Sequence, residues 1–202
     1  MKIQSVIEAL EKNRYSVKFF KSAKDAAEYI DGNLDGKSIG FGDSETMSRM
    51  KLYEKLSSHN VVYDPKQGKD NDEFLEIARK CMDTQIYLTS VNAISETGEL
   101  VNIDGTGNRV AGSLFGHEKV YFVAGTNKIE PTLEKAIWRA RNIAAPKNAM
   151  RFGVNTPCAE SGDRCHDCSS PDRICNVLAI HLKKMEDIDD VEIVLIDEEL
   201  GF

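Results

Sequence analysis

The chain has 202 residues, 41% of them hydrophobic and 29% charged, a balance that supports a buried core under a solvated surface and excludes a disordered or fibrous chain. Acidic residues outnumber basic ones 33 to 26, and a net charge of −7 without a basic stripe interleaved by aromatics argues against nucleic acid as a partner. No run approaches the roughly 18 apolar residues of a membrane span, and the start turns polar at Glu8 and Glu11-Lys12, so the expected location is cytoplasmic.

Ile3, Val6, Ile7 and Leu10 recur at helical spacing and predict a helix over 3–12. Tyr15, Val17 and Phe19 alternate with polar residues, as on a strand. Ser22 and Asp25 form a capping signature for a helix carrying Ala23, Ala26, Ala27 and Ile30, closed by Asp31-Gly32-Asn33. Residues 1–37 thus read as a helical and strand lead-in. Ser38 to Gly42 reads as a strand entering a glycine turn, with Asp43 or Ser44 capping a helix packed through Met47, Met50 and Leu56.

Val61 to Tyr63 is a short strand, followed by a turn and a helix capped by Asp70 or Asn71, with Phe74, Ile77, Ala78 and Cys81 inward. Gln85 to Thr89 is a further strand. A short helical or irregular piece leads to Gly98, then Leu100 to Ile103 forms a strand. Lys119 to Ala124 is the clearest core strand. Pro131 suits the first turn of a helix with Leu133, Ile137, Ala140 and Ala144 inward, broken at Pro146. Residues 147–176 show little periodicity, and a last strand begins near Val191. Strands separated by helices predict an α/β fold, one domain over 1–202, with a mainly parallel open sheet and flanking helices.

Sites in open α/β sheets lie beyond the carboxyl ends of strands. Gly40, Gly42, Asp43 and Ser44 occupy one such end, where glycines permit close approach of a ligand, although neither the dinucleotide fingerprint nor a Walker loop is complete. Asp104, Gly105, Gly107, Asn108 and Arg109 occupy another. Arg109 suits bidentate capture of a carboxylate or phosphate, and Asp104 is a candidate base. Asn127 and Lys128 follow the core strand and add a donor and a positive charge. Asn92 joins this polar rim, while Glu96 and Glu99 are further candidate bases or nucleophiles. No Ser-His-Asp order or Cys-His protease pair is visible. A small carboxylate or phosphorylated ligand is the expected partner.

Cys158, Cys165, Cys168 and Cys175 are spaced Cys-x6-Cys-x2-Cys-x6-Cys within the segment 155–176. A central Cys-x2-Cys with an outer pair suits a four-sulfur shell, for zinc or an iron–sulfur cluster alike. His166 permits a three-cysteine alternative, and a redox-active Cys165–Cys168 disulfide or free thiols remain open. Cys81, on an inner helix face, reads as core.

Across Gly40-Phe41-Gly42-Asp43-Ser44, Asn92-Ala93-Ile94, Asp104 to Arg109, Val123 to Lys128, the cysteine segment and Glu199-Leu200-Gly201-Phe202, the chain resembles the LUD-domain family of lactate-utilisation proteins, in a shorter subgroup with the four-cysteine tail. The resemblance implies the fold of sugar-phosphate isomerases and CoA-transferases. It also implies a bacterial cytoplasmic protein that assists oxidation of lactate or another 2-hydroxy acid, as a metal-containing accessory subunit beside an iron–sulfur redox partner. Two alternatives stand next to it. One is an isomerase, hydrolase, or acyl or CoA transferase acting on a small anion. The other is a zinc-stabilised binding or regulatory domain.

Overall fold

Strands that are apolar at consecutive positions, rather than alternate ones, are covered on both faces, and they mark the centre of this molecule. The computed structural model describes residues 3–202. Its strands are Ser16–Phe20 (β1), Ser38–Phe41 (β2), Val61–Tyr63 (β3), Ile86–Thr89 (β4), Ala93–Ser95 (β5), Leu100–Asp104 (β6), Lys119–Gly125 (β7), Ile129–Glu130 (β8), Val177–His181 (β9) and Asp190–Ile196 (β10). Six of them form one sheet in the order β1-β10-β7-β4-β2-β3, parallel at every pairing. The two longest, β7 and β10, lie side by side within it, with Val191 opposite Val120 and Ile196 opposite Gly125.

The helices are Ile3–Lys12 (α1), Ala23–Gly32 (α2), Glu45–Arg49 (α3), Leu52–Leu56 (α4), Asn71–Cys81 (α5), Asn108–Gly112 (α6), Leu133–Arg139 (α7), Ala145–Phe152 (α8) and Pro157–Ser161 (α9). Ala26, Ala27 and Ile30 of α2, with Met47 of α3 and Leu52 and Leu56 of α4, cover one face of the large sheet at Ile39, Leu88, Val123 and Val194. On the other face Val6 and Leu10 of α1 and Cys81 of α5 pack with Tyr87, Phe122, Ile193 and Leu195. The fold is therefore α/β, with a largely parallel sheet flanked by helices. Among the described residues no helix is long and apolar enough to cross a membrane.

The remaining strands make a second sheet, β8-β5-β6-β9, whose β5–β6 and β6–β9 pairings are antiparallel. Ala93 and Val101 of this sheet pack on Ala136 and Ala140, while Ile94 and Leu100 join the core of the large sheet. The small sheet thus stands between α7 and the large sheet.

Several elements depart from the sequence expectation. The stretch before Gly98 contains β5 instead of a helical piece. Lys51 adopts a left-handed conformation (φ 53°) and splits the expected helix into α3 and α4. Pro131 lies one residue before the cap of α7 and not in its first turn: Thr132 caps the helix, its hydroxyl accepting from the Lys135 N–H at 3.3 Å. Pro146 does not end the helix: α7 runs through one π-helical stretch, Ala140–Ala144, into α8, and Pro146 is the second residue of α8, directly after that stretch, where the hydrogen-bond register changes. The expected cap at Ser22 is present, accepting from Asp25 N at 3.1 Å.

Candidate functional site

Parallel strands deliver all their carboxyl-terminal loops to one edge of the sheet. Here the loops after β2, β4 and β7 and the segment after β10 meet the end of β6, the start of α6, α8 and residues 173–176 around a cavity of about 500 Å³. Asp43 and Ser44 enter from β2, Ser90 and Asn92 from β4, Lys128 from β7, and Gly201 and Phe202 from beyond β10. Asp104, Gly105, Asn108 and Arg109 close one side, and Asn148, Arg151 and Phe152 of α8 another.

Asn92 ties the two sheets together at this point. Its Oδ1 accepts from Ile103 N at 2.7 Å and from Arg109 Nη2 at 3.2 Å, and its own N–H donates to Val101 O at 3.0 Å. Arg109 Nη2 also donates to Ile103 O, leaving Nε and Nη1 without a partner among the described residues. No carboxylate pairs with Arg109 among those residues. By contrast Arg151 is engaged by Glu45 at 2.9 Å and Asp43 at 3.7 Å, and Lys66 joins the same carboxylates. Partial burial opposes it, but the hydrogen bond and charge of Lys66, with Arg151, hold the Glu45 carboxyl below its ordinary range. Asp104 accepts from Gly105 N at Oδ1 (2.7 Å) and from Val110 N at Oδ2 (2.9 Å). Asp43 and Glu45 are thus ion-paired and Asp104 is held by backbone N–H groups, while Arg109, like Arg173 on the far wall, has no carboxylate partner among the described residues. Two buried atoms on the lining, Asp43 Oδ1 and Asn108 Nδ2, have no hydrogen-bond partner among the described residues, although Lys66 Nζ stands 3.4 Å from Asp43 Oδ1.

Lys128 lies at the floor. It is 2% exposed, and its Nζ lies 2.9 Å from Ser90 Oγ and 3.2 Å from Thr46 Oγ1. Burial first, and then the charges of Arg139, Arg109 and Arg49, push its pKa well below that of an ordinary lysine.

Other candidate residues sit off the lining. Gly40 and Gly42 act by close approach: an added Cβ would fall 2.8 Å from Cys81 O at Gly40, and 2.7 Å from Thr89 Oγ1 and 2.9 Å from Arg109 Cγ at Gly42. Gly107 precedes α6 in a left-handed conformation. Asn127 Oδ1 accepts from Leu200 N at 3.2 Å, holding the segment after β10 in place. Glu99 bonds Ser95 and Thr97, and Glu96 follows β5; neither lines the cavity. Thr46, whose hydroxyl the sequence offered beside that of Ser44 as an anion contact, lines it too, whereas Ser90, Arg151 and Arg173 line it and were not among the sequence candidates. Ser90 directly follows β4, and its position after a parallel strand is the signal that could have found it.

The expectation of a zinc or iron–sulfur centre at Cys158, Cys165, Cys168 and Cys175 is corrected by the geometry. Among the described residues no group of three or more His, Cys, Asp or Glu side chains is placed to hold a metal ion, and all four cysteines are free. Cys158 Sγ faces Thr156 Oγ1 at 3.4 Å, and Cys165 Sγ accepts from Asp167 N at 3.4 Å and from Arg141 Nη2 at 3.9 Å. His166 turns to Asp163. The segment folds back around a guanidinium instead: Arg173 donates to Cys168 O at 2.8 Å and Cys175 O at 3.0 Å. Asn176 then bonds Asp104 O and Gly105 O, so that Arg173, Ile174 and Asn176 form one cavity wall. Cys81 is core as expected, its thiol pushed up to about 11 by burial.

The model of the LUD domain matches residues 3–196. The chain belongs to the LUD domain family. This LUD protein is similar in structure to a DUF162-family protein from Deinococcus radiodurans, with a TM-score of 0.54 and 10% identity over 96% of this chain and 95% of that one. The likeness extends to the fold. Ribose 5-phosphate isomerase A from Neisseria gonorrhoeae matches 55% of this chain and 54% of its own at a TM-score of 0.36 and 16% identity, too distant to carry an argument. No curated protein matches the LUD protein in sequence.

Proposed function

We propose that this LUD protein binds a small 2-hydroxy carboxylate such as lactate in the cavity and assists its oxidation in the cytoplasm, a separate iron–sulfur redox protein accepting the electrons. The observation that carries this is the Arg109 guanidinium, which lines the cavity with Nε and Nη1 unpartnered among the described residues, while the neighbouring Arg151 is already neutralised. Nη2 is occupied, so a carboxylate takes a single charge-assisted bond from Nη1 or Nε, and Asn108 Nδ2, buried without a partner among the described residues, offers a donor to an adjacent hydroxyl. The alternative, isomerase, hydrolase or transferase chemistry through Asp104, Glu96 or Glu99, has less support: both oxygens of Asp104 accept backbone N–H groups, and the two glutamates lie off the lining.

Calorimetric titration of the protein with D- and L-lactate tests the binding. Arg109→Ala is expected to weaken it at least about tenfold, since a charge-assisted hydrogen bond contributes roughly 1.5–3 kcal/mol. Equal affinity in the folded variant would remove Arg109 as the anchor.

A further inference from the structure

Lys128 is the chemically unusual group of the cavity, and binding an anion does not by itself account for its placement. An amine nearly closed off from water, with no carboxylate at ion-pairing distance among the described residues, is an unfavourable place for a charge. An ordinary anion-binding lysine keeps its charge by facing solvent or an acid. This one faces two hydroxyls, Ser90 Oγ and Thr46 Oγ1, and is closed over by Gly201, whose added Cβ would stand 3.2 Å from Nζ. The guanidiniums around it raise the cost of a second positive charge and attract an anionic ligand to the same place. A lysine that is desolvated beside other cations is the better amine nucleophile, because its lone pair is free at a lower pH than that of a solvent-facing lysine.

We propose that Lys128 condenses with the carbonyl of a 2-oxo carboxylate whose carboxylate is held by Arg109. The inference rests on the anion site proposed above and deepens it, since removing two electrons from a 2-hydroxy acid leaves a 2-oxo acid in the same cavity. The Nζ lone pair attacks C2, forming the N–C bond, and the carbonyl oxygen takes up a proton. Nζ gives up both of its protons, the second of them passing to the same oxygen; the C2–O bond breaks and that oxygen leaves as water, so that a C=N bond replaces C=O. One water is released and nothing is oxidised or reduced. Ser90 and Thr46, each within hydrogen-bond distance of Nζ, are the groups placed to carry protons between nitrogen and oxygen.

The test incubates the intact protein with pyruvate or glyoxylate, reduces with sodium cyanoborohydride, and maps adducts by peptide mass spectrometry, alongside calorimetric binding of the same acids without reductant. The expected result is one reduced adduct per chain on the peptide containing Lys128, absent in Lys128→Met and diminished in Arg109→Ala. Arg109-dependent binding with no adduct on Lys128 overturns the imine and leaves the anion site standing. Neither binding nor adduct overturns both. Labelling spread over surface lysines, equal in wild type and Lys128→Met, also overturns it. Should Lys128→Met fail to fold, the peptide map of the wild-type protein still locates the adduct or shows that Lys128 has none.

Discussion

A buried amine has a thermodynamic signature that does not depend on any ligand. Because burial depresses the Lys128 pKa, the native state binds fewer protons than the unfolded chain between that depressed value and about 10.4. Stability therefore rises with pH through this window, by at most about 1.4 kcal/mol per pH unit. Urea denaturation between pH 7 and 10 is expected to show wild type gaining on Lys128→Met as pH increases; parallel curves would mean that the amine stays charged in the fold. Gly201 supplies the lid over this lysine. It sits at φ 66°, and a Cβ there would lie 2.6 Å from Thr46 Oγ1. Gly201→Ala is expected to cost about 1–2 kcal/mol through backbone strain and displacement of the segment after β10. Thermal unfolding checks this, and an unchanged midpoint would show that the segment yields without cost.

At the scale of elements, the starts of β7 and β10 are joined by charge. Lys119 Nζ lies 2.8 Å from Asp190 Oδ2 and 2.7 Å from Glu192 Oε2, with the Glu192 side chain only 4% exposed. Lys119→Met leaves that carboxylate buried and unpaired, and is expected to cost about 3 kcal/mol, the low end for a broken buried pair because Lys119 retains some water. A loss under half of that in chemical denaturation would show water reaching Glu192. This pairing joins residues far apart in the chain, and no local pattern announces it. What local pattern does announce is borne out: the Ile3–Leu10 stripe, the Ser22 cap and the apolar run of β7. The strand β9 was missed because Val177, Leu178 and Ile180 are exposed and only His181 is buried, so its burial matches neither strand pattern. The start of α6 has no side-chain cap and so carried no signal. The cysteine spacing misled because spacing reports chain proximity, whereas ligation needs the sulfurs to converge. In the fold Arg173 organises that loop through backbone carbonyls of Cys168 and Cys175. Ser90 was not singled out because a hydroxyl beside a strand is commonplace until a buried lysine is found against it.

At the scale of the whole molecule, two buried histidines stand where other elements meet the large sheet, and they govern its response to acid. His181 of β9 packs edge-on against Phe122 of β7, ring centroids 5.4 Å apart, and meets Ser113 Oγ at 3.1 Å. His117 stacks on Tyr87 of β4 at 4.8 Å and shares a hydrogen bond with Thr84 O at 2.6 Å. Burial lowers both pKa values, that of His181 from 6.5 to about 4. Between those values the unfolded chain takes up a proton that native His181 refuses, so stability falls as pH drops from 6.5 toward 4, and below 4 the loss is complete. For His181 alone this amounts to about 3 kcal/mol, a large part of the roughly 5–15 kcal/mol that stabilises a typical domain. His59 works in the opposite direction. Its hydrogen bonds to Asp31 and Asp35 raise its pKa, a stabilisation present at low pH and lost as pH rises through the raised value, but it is half-exposed and partly screened by water. The His181 contribution is therefore one of acid sensitivity, placed where β9 meets Phe122. Urea midpoints at pH 7, 5.5 and 4.5 should fall steeply in wild type and less steeply in His181→Asn, which keeps a polar partner for Ser113 without a basic group. Equal slopes would mean that His181 takes its proton inside the folded protein, which the packing against Phe122 and the lack of a neighbouring carboxylate among the described residues argue against.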